Sequence, residues 1–407
     1  MKRILIFSLA YYPKHIGGAE VAIKEITDRI SPDDIEFHMV TNRFDGTLPR
    51  VEMVGNVLVH RIGLVSKNPS MGDLRKFPLQ FNKYLYQFTA FWKAHRLHAK
   101  YHYDGIWAMM AHSTGTPAGM FKTFYPKVKY LLTLQEGDPP EYIEQIARPV
   151  WSLFKRGFTK ADELQGISNF LIAWGKRMGF WGEGILIPNG TDVARFSKSI
   201  SHLERTVLRQ KWEVGENETV LVSTSRLVHK NAMDDVIRAL VHLPKNIQFI
   251  NFGFGPDKAK LERMAQEVGV LERVQLLDHP GLDILPKYLH ACDIFIRPSR
   301  SEGMGISFVE AMAAELPVIA TQEGGIADFL FDEKRNPDKE MTGWAVDTDS
   351  PKQIAKAVKE ILSNSEKTKK VIEMAKKLAI EKYDWDIITK DMKEKVFDKL
   401  LKGEGTR

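Results

Sequence analysis

Short apolar runs alternate with longer stretches of helical period along the whole chain, the pattern left by parallel sheets covered with helices. In the first half the runs that predict buried strands are 3–9, 35–41, 57–62, 105–111, 129–135, 163–168 and 185–188. A second set follows at 219–225, 247–253, 273–278, 292–298, 317–321 and 343–347, with helical pattern at 257–268, 305–314 and 351–363. One hydrophobic core seldom extends over 407 residues, so two sets predict two α/β, doubly wound domains.

The boundary is expected after Pro188-Asn189-Gly190, where a strand end meets turn chemistry. The expected division is 1–190 for the first Rossmann-like domain and 191–383 for the second. The helical pattern breaks near Tyr383-Asp384-Trp385, and 384–407 is expected to be a helix crossing back to the first domain.

Composition narrows the class. Hydrophobic residues make up 43% and charged residues 27%, the balance of an ordinary folded protein. Residues 1–190 hold 24 Lys and Arg against 17 Asp and Glu, so the net charge of +6 originates in the first half. That asymmetry fits an anionic surface or a phosphorylated acceptor; charge alone is a poor case for nucleic acid. The single cysteine, Cys292, excludes an intramolecular disulfide and a thiolate zinc cluster, and its apolar surroundings predict burial. At the N-terminus an apolar stretch is halted by Tyr11, Tyr12 and Pro13 and reads as a first strand rather than a signal peptide. Nowhere do 18 apolar residues run together, so a cytoplasmic location is expected, with the inner face of a membrane as a further option.

Ligands of doubly wound sheets bind outside the carboxyl ends of the strands. After the first strand come Gly17 and Gly18 at the start of a helical pattern, where bare backbone N–H groups can approach a phosphate. After 219–225 come Arg226 and Lys230, a guanidinium fork and a point charge suited to a diphosphate. The richest stretch is 297–321, RPSRSEGMGISFVEAMAAELPVIAT. There the N–H groups of Gly303, Met304, Gly305 and Ile306 are expected to point from a helix start towards an anion. Glu302 is placed to accept hydrogen bonds from sugar hydroxyls, and Glu310, after seven intervening residues, to reach a ribose diol. Asp347-Thr348-Asp349 imitates a metal-binding D-x-D, but it precedes Ser350-Pro351 and a helix, so turn and cap roles explain it better, as for Asp384-Trp385-Asp386. No metal site is expected.

The segment SEGMGISFVEAMAAELPVIAT resembles the signature of the family-four retaining glycosyltransferases, which have the GT-B fold of two Rossmann-like domains facing across a cleft. GGAE, IPNGTDVARF, SRLVHKN, FGFGPDKAKLERMA and LPKYLHACDIFIRPS match in the same order over nearly the whole chain. The resemblance implies an acceptor-side first domain and a second domain that binds the nucleotide sugar. It puts Gly17 and Gly18 under the donor phosphates, Arg226 and Lys230 on the leaving diphosphate, Glu302 on the transferred sugar and Glu310 on the ribose. His279, beside Pro280, would flank the base. Two positions depart from the pattern. Glu315 stands where the family commonly has Gly, and Gln135 stands where many members carry a His near the sugar. Nearby His112, Glu136 and Asp138 are the remaining candidates on the sugar or acceptor side.

The implied reaction moves a hexose from a UDP- or GDP-sugar to a hydroxyl of a glycan or lipid-linked acceptor, with no cofactor beyond the donor itself. Donors aimed at the departing phosphate supply the main catalytic term, and retention by front-side attack needs no carboxylate nucleophile. A sugar-nucleotide epimerase of the same fold is the alternative, and a non-enzymatic sugar-binding protein a more distant one. Residues 75–101 and 151–158 mix Lys, Arg and His with Phe, Tyr and Trp, a pattern suited to peripheral contact with an anionic membrane.

Overall fold

A computed structural model describes residues 1–14, 16–70 and 72–402. The last five residues of the expected crossing segment, 403–407, lie outside the described residues. The chain forms two compact units, one of Met1–Asn189 with Trp385–Arg407 and the other of Gly190–Asp384.

The first unit is built on eight strands: β1 (Lys2–Phe7), β2 (Ile35–Asp45), β3 (Val51–Val54), β4 (Val57–Ser66), β5 (Gly105–Met109), β6 (Lys129–Leu134), β7 (Glu163–Gly166) and β8 (Ile185–Leu186). Their order is β3-β4-β2-β1-β5-β6-β7-β8. Every neighbouring pair is parallel except β3 with β4, an antiparallel hairpin. Helices cover both faces of the central strands, which explains why Ile4 to Phe7 are apolar without alternation and fully buried. β3 was not anticipated: it is short, and its residues alternate between exposed and half-buried. Trp385, Ile388, Met392, Val396, Phe397 and Leu400 belong to this unit's core. Phe397 packs edge-on against Trp107 of β5, with ring centroids 5.2 Å apart.

The second unit holds β9 (Thr219–Thr224), β10 (Ile247–Phe252), β11 (Val274–Leu277), β12 (Ile294–Arg297), β13 (Val318–Ala320) and β14 (Trp344–Ala345). All are parallel, in the order β11-β10-β9-β12-β13-β14. In each unit the strand order reverses at one strand, β1 and β9, and such switch points are where ligands of these sheets sit.

Candidate functional site

In the second unit the loops after β9 and β12 leave neighbouring strands, so their tips start from backbones about 4.8 Å apart. They are laced together: Arg300 N–H donates to the Lys230 carbonyl at 2.7 Å, and Arg300 Nη1 to the His229 carbonyl at 2.8 Å. Asn231 Nδ2 closes its own turn on the Arg226 carbonyl at 2.7 Å. The loop after β10 lies against the same turn, because at Gly253, φ +154°, a Cβ would sit 2.1 Å from the Ser225 carbonyl oxygen. Ala232 holds the turn's end at φ +56°, a left-handed conformation that costs a non-glycine residue energy.

Of the two predicted cations, Arg226 differs from its charged neighbours. Arg226 is exposed, and its guanidinium has no hydrogen bond or ion pair among the described residues. Lys230, four residues on, is half-buried. By contrast Arg300 is committed to Asp234, Asp235 and Asp349, and Arg297 to Glu302.

The helix Ile306–Ala313 starts from Gly305, whose φ of +84° suits glycine alone; a Cβ there would meet Phe308 at 2.5 Å. Gly305, Ile306 and Ser307 present backbone N–H groups that meet no acceptor among the described residues. Gly303 does not fulfil its expectation, since its N–H is taken by the Glu302 carboxylate at 3.2 Å. Glu302 is 9% exposed and ion-paired with Arg297. Glu310 is 8% exposed, its carboxyl has no hydrogen bond among the described residues, and burial pushes its pKa up to about 7 against the pull of Arg195 and Arg297. His279 follows β11, two strands from β9; it is exposed, with Nδ1 accepting from Gly281 N–H at 3.1 Å.

In the first unit Gly17 caps the helix Gly18–Asp28. The Gly17 N–H is engaged by the Glu20 carboxylate at 2.8 Å, so glycine at 17 answers a local need as well. At Gly18 a Cβ would find nothing nearer than 4.0 Å, which leaves room for a ligand. β5 is followed by Met110 at φ +68° and a π-helical turn, Ala111–Gly115. Such turns recur at functional sites, and no sequence signal announced this one. His112 Nδ1 lies 3.5 Å from Glu136 Oε1. Glu136 is 1% exposed and braces the ends of β5 and β6 by accepting from the backbone N–H of His112 at 3.3 Å and of Gln135 at 3.0 Å. Gln135 Oε1 accepts from Asn189 at 3.1 Å, and Asp138 is exposed.

Other candidates resolve into structural roles. Asp347 is held by Arg335 at 2.7 Å and by Gln353, which keep its carboxyl below the usual range, and Asp349 binds Arg300. Among the described residues no group of three or more His, Cys, Asp or Glu is arranged to hold a metal. Cys292 is buried and its thiol pKa is raised by that burial. A cavity of about 350 Å³ beside β14 is lined partly by paired charges, such as Lys367 with Glu360 at 2.9 Å, and by Lys334 and Lys356, whose side chains have no ion pair among the described residues.

Residues 204–378 match the family described as Glycosyl transferases group 1. The matched segment lies within the second unit. The chain is 24% identical to an uncharacterized glycosyltransferase of Methanocaldococcus jannaschii over 96% of each chain. It is 30% identical to the GDP-mannose-dependent alpha-(1-6)-phosphatidylinositol monomannoside mannosyltransferase of Mycobacterium tuberculosis, a match spanning 50% of this chain and 52% of that one. In fold it is similar to sucrose-phosphate synthase from Thermosynechococcus elongatus, TM-score 0.79 with 19% identity over 99% of this chain and 100% of that one. It is also similar to Anabaena HepE in complex with UDP and glucose, TM-score 0.74 with 20% identity over 98% and 100%. The chain thus has the GT-B fold, two α/β domains.

What sequence reasoning missed is Arg297. Its one signal was a charge closing the apolar run CDIFIRP, and a charge entering a buried segment requires a partner.

Proposed function

We propose that the second unit binds a nucleoside-diphosphate sugar and that the enzyme moves its hexose, with retention, to a hydroxyl of a glycan or lipid-linked acceptor. The observation that carries this reading is the unengaged Arg226 guanidinium on the loop after β9, together with a helix start, on the loop after the neighbouring β12, whose N–H groups also lack acceptors. Both are aimed-charge devices, and they serve a departing diphosphate better than any neutral ligand. Lys230 shares that role, Glu302 accepts from sugar hydroxyls, Glu310 accepts from the ribose diol, and His279 borders the base. The Anabaena structures with UDP and with UDP-glucose support a nucleotide donor. UDP-, GDP- and ADP-sugars are offered separately, and hydrolysis or transfer is followed. Turnover of one is expected; turnover of none sinks the proposal, and release of free epimer replaces it with an epimerase.

For the acceptor we read the helix Asn82–Tyr101 as a surface for anionic lipid. Tyr84, Phe88 and Trp92, at four-residue spacing on one face, are 60%, 51% and 60% exposed. Phe124 adds a ring 66% exposed, its centroid 5.1 Å from that of Phe91. Residues 74–135 contain nine Lys and Arg and one acid, Asp104. Exposed rings among cations are the composition of helices that lie at a charged bilayer surface. The second stretch, 151–158, contributes less, because Phe154 and Phe158 pack inward against Trp174. No helix among the described residues is long and apolar enough to cross a membrane. Co-sedimentation with phosphatidylglycerol vesicles at low salt, lost in a Phe88→Ser, Trp92→Ser variant, is the expected result; equal recovery with neutral vesicles removes the idea.

A further inference from the structure

Glu302 brings a carboxylate to the site read above as binding a diphosphate, and two anions at close range repel. The structure supplies an answer in Arg297, the last residue of β12. Its Nη2 contacts Glu302 and donates to Asn231 Oδ1 at 3.2 Å, while Nη1 donates to Ser307 Oγ at 2.9 Å. The guanidinium lies over the Phe308 ring, 5.3 Å from its centroid. Asn231 in turn donates to the Arg226 carbonyl at 2.7 Å. One side chain therefore touches the turn carrying Glu302, the turn carrying Arg226 and the first turn of the helix that carries Glu310.

Stability is a poor reason for this arrangement. Buried ion pairs are seldom better for a fold than well-packed apolar residues of the same volume. Here the Arg297 Nε is also buried without an acceptor among the described residues, a net cost. What the guanidinium does accomplish is electrostatic. It cancels the Glu302 charge at the carboxylate's own position while leaving lone pairs free to accept from hydroxyls.

We propose that Arg297 is a positioning residue of the donor site: it neutralises Glu302 against the diphosphate and, through Asn231, holds the turn that carries Arg226. The proposal rests on the reading of the second unit as the donor site, and the experiment separates the two.

The full chain is titrated calorimetrically with UDP, GDP and ADP, and donor KM and kcat are measured with the matching sugar. Arg297→Met is expected to weaken nucleoside-diphosphate binding about tenfold or more, since it leaves a bare carboxylate beside the phosphates. Glu302→Gln alone is expected to bind the diphosphate within about threefold of wild type while losing sugar turnover, because charge and hydroxyl recognition are separate terms. In the double variant the second change is expected to recover most of the lost diphosphate affinity. Arg297→Lys, which keeps the charge, is expected to raise KM with kcat largely retained. A merely structural role predicts the opposite: losses that follow the melting temperature and are not recovered by Glu302→Gln. Unchanged diphosphate binding in a folded Arg297→Met protein overturns the proposal. If that variant does not fold, the double variant and Arg297→Lys decide, and a double variant that binds more than about tenfold worse than Glu302→Gln overturns it. Wild-type protein that binds none of the three diphosphates overturns the donor reading instead.

Discussion

The turn 298–305 and the helix 306–313 each carry one glutamate, and the two are buried to nearly the same extent, 9% for Glu302 and 8% for Glu310. Their chemistry is opposite. Glu302 is paired with Arg297, whereas Glu310 has no hydrogen-bond partner among the described residues and burial lifts its pKa to about 7. Burial therefore does not decide what a carboxylate costs; the company it keeps does. In the donor-site reading proposed above, Glu302 is prepared before a ligand arrives. Glu310 is left incomplete, and in the reading proposed above the ligand's hydroxyls complete it.

That contrast can be broken from several sides. The largest expected effect comes from the unengaged cation: Arg226→Ala is expected to lower kcat/KM by roughly 10²–10³ with an unaltered melting temperature, as for removal of one aimed donor. Full turnover in a folded variant ends the account of the leaving group. Next, Glu310→Gln is expected to bind donor at least about tenfold more weakly yet to melt higher at pH 8 without ligand. The sign follows from the raised pKa. Between the ordinary glutamate value and about 7 the folded state holds more protons than the unfolded state, so this group's contribution falls as pH rises through that window. The accumulated penalty above pH 7 is on the order of 3 kcal/mol, and at pH 4 the variant and wild type should melt alike. A variant that melts lower at pH 8 would show that the carboxylate is satisfied after all.

A gentler version needs no mutation. Wild-type donor affinity is expected to rise from pH 6 to pH 8 by several-fold as Glu310 becomes ionised and able to accept from the diol, a trend that Glu310→Gln should abolish. The smallest expected effect concerns the far end of the same helix. Glu315 occupies the left-handed position, φ +60°, of a Schellman closure in which its N–H bonds Met312 and that of Leu316 bonds Ala311. Glu315→Gly is expected to gain about 1 kcal/mol from the backbone. It gives up a half-exposed ion pair with Lys376 worth less than that, so a melting temperature raised by a few degrees is the readout.

Glu315 also shows what a sequence can and cannot display. Its departure from the family's glycine was visible, but the reason lies in a backbone angle that only the folded helix end reveals. The parallel strands and the loops after strand ends were legible because they follow from local periodicity and turn chemistry. The partners were not. Whether the Gly303 N–H is free, which carboxylate Arg297 meets, and that Gly17 is already engaged by Glu20 depend on side-chain directions and through-space neighbours. Met110, just after β5, and Ala232, at the end of the turn that follows β9, are strained yet carry no signal at all in their residue types. The hairpin strand β3 was hidden for a simpler reason, since four residues with no buried face resemble a loop.

Trp385 to Leu400 complete the core in which Phe397 meets Trp107. During synthesis the ribosome releases the whole of Gly190–Asp384 before those final side chains exist, so the unit encoded in the middle can mature while the one begun first still waits. Loss of residues 385–400 therefore injures the unit built on 1–189, and nascent chains halted before Trp385 should expose the 1–189 region to protease while leaving the 190–384 region resistant.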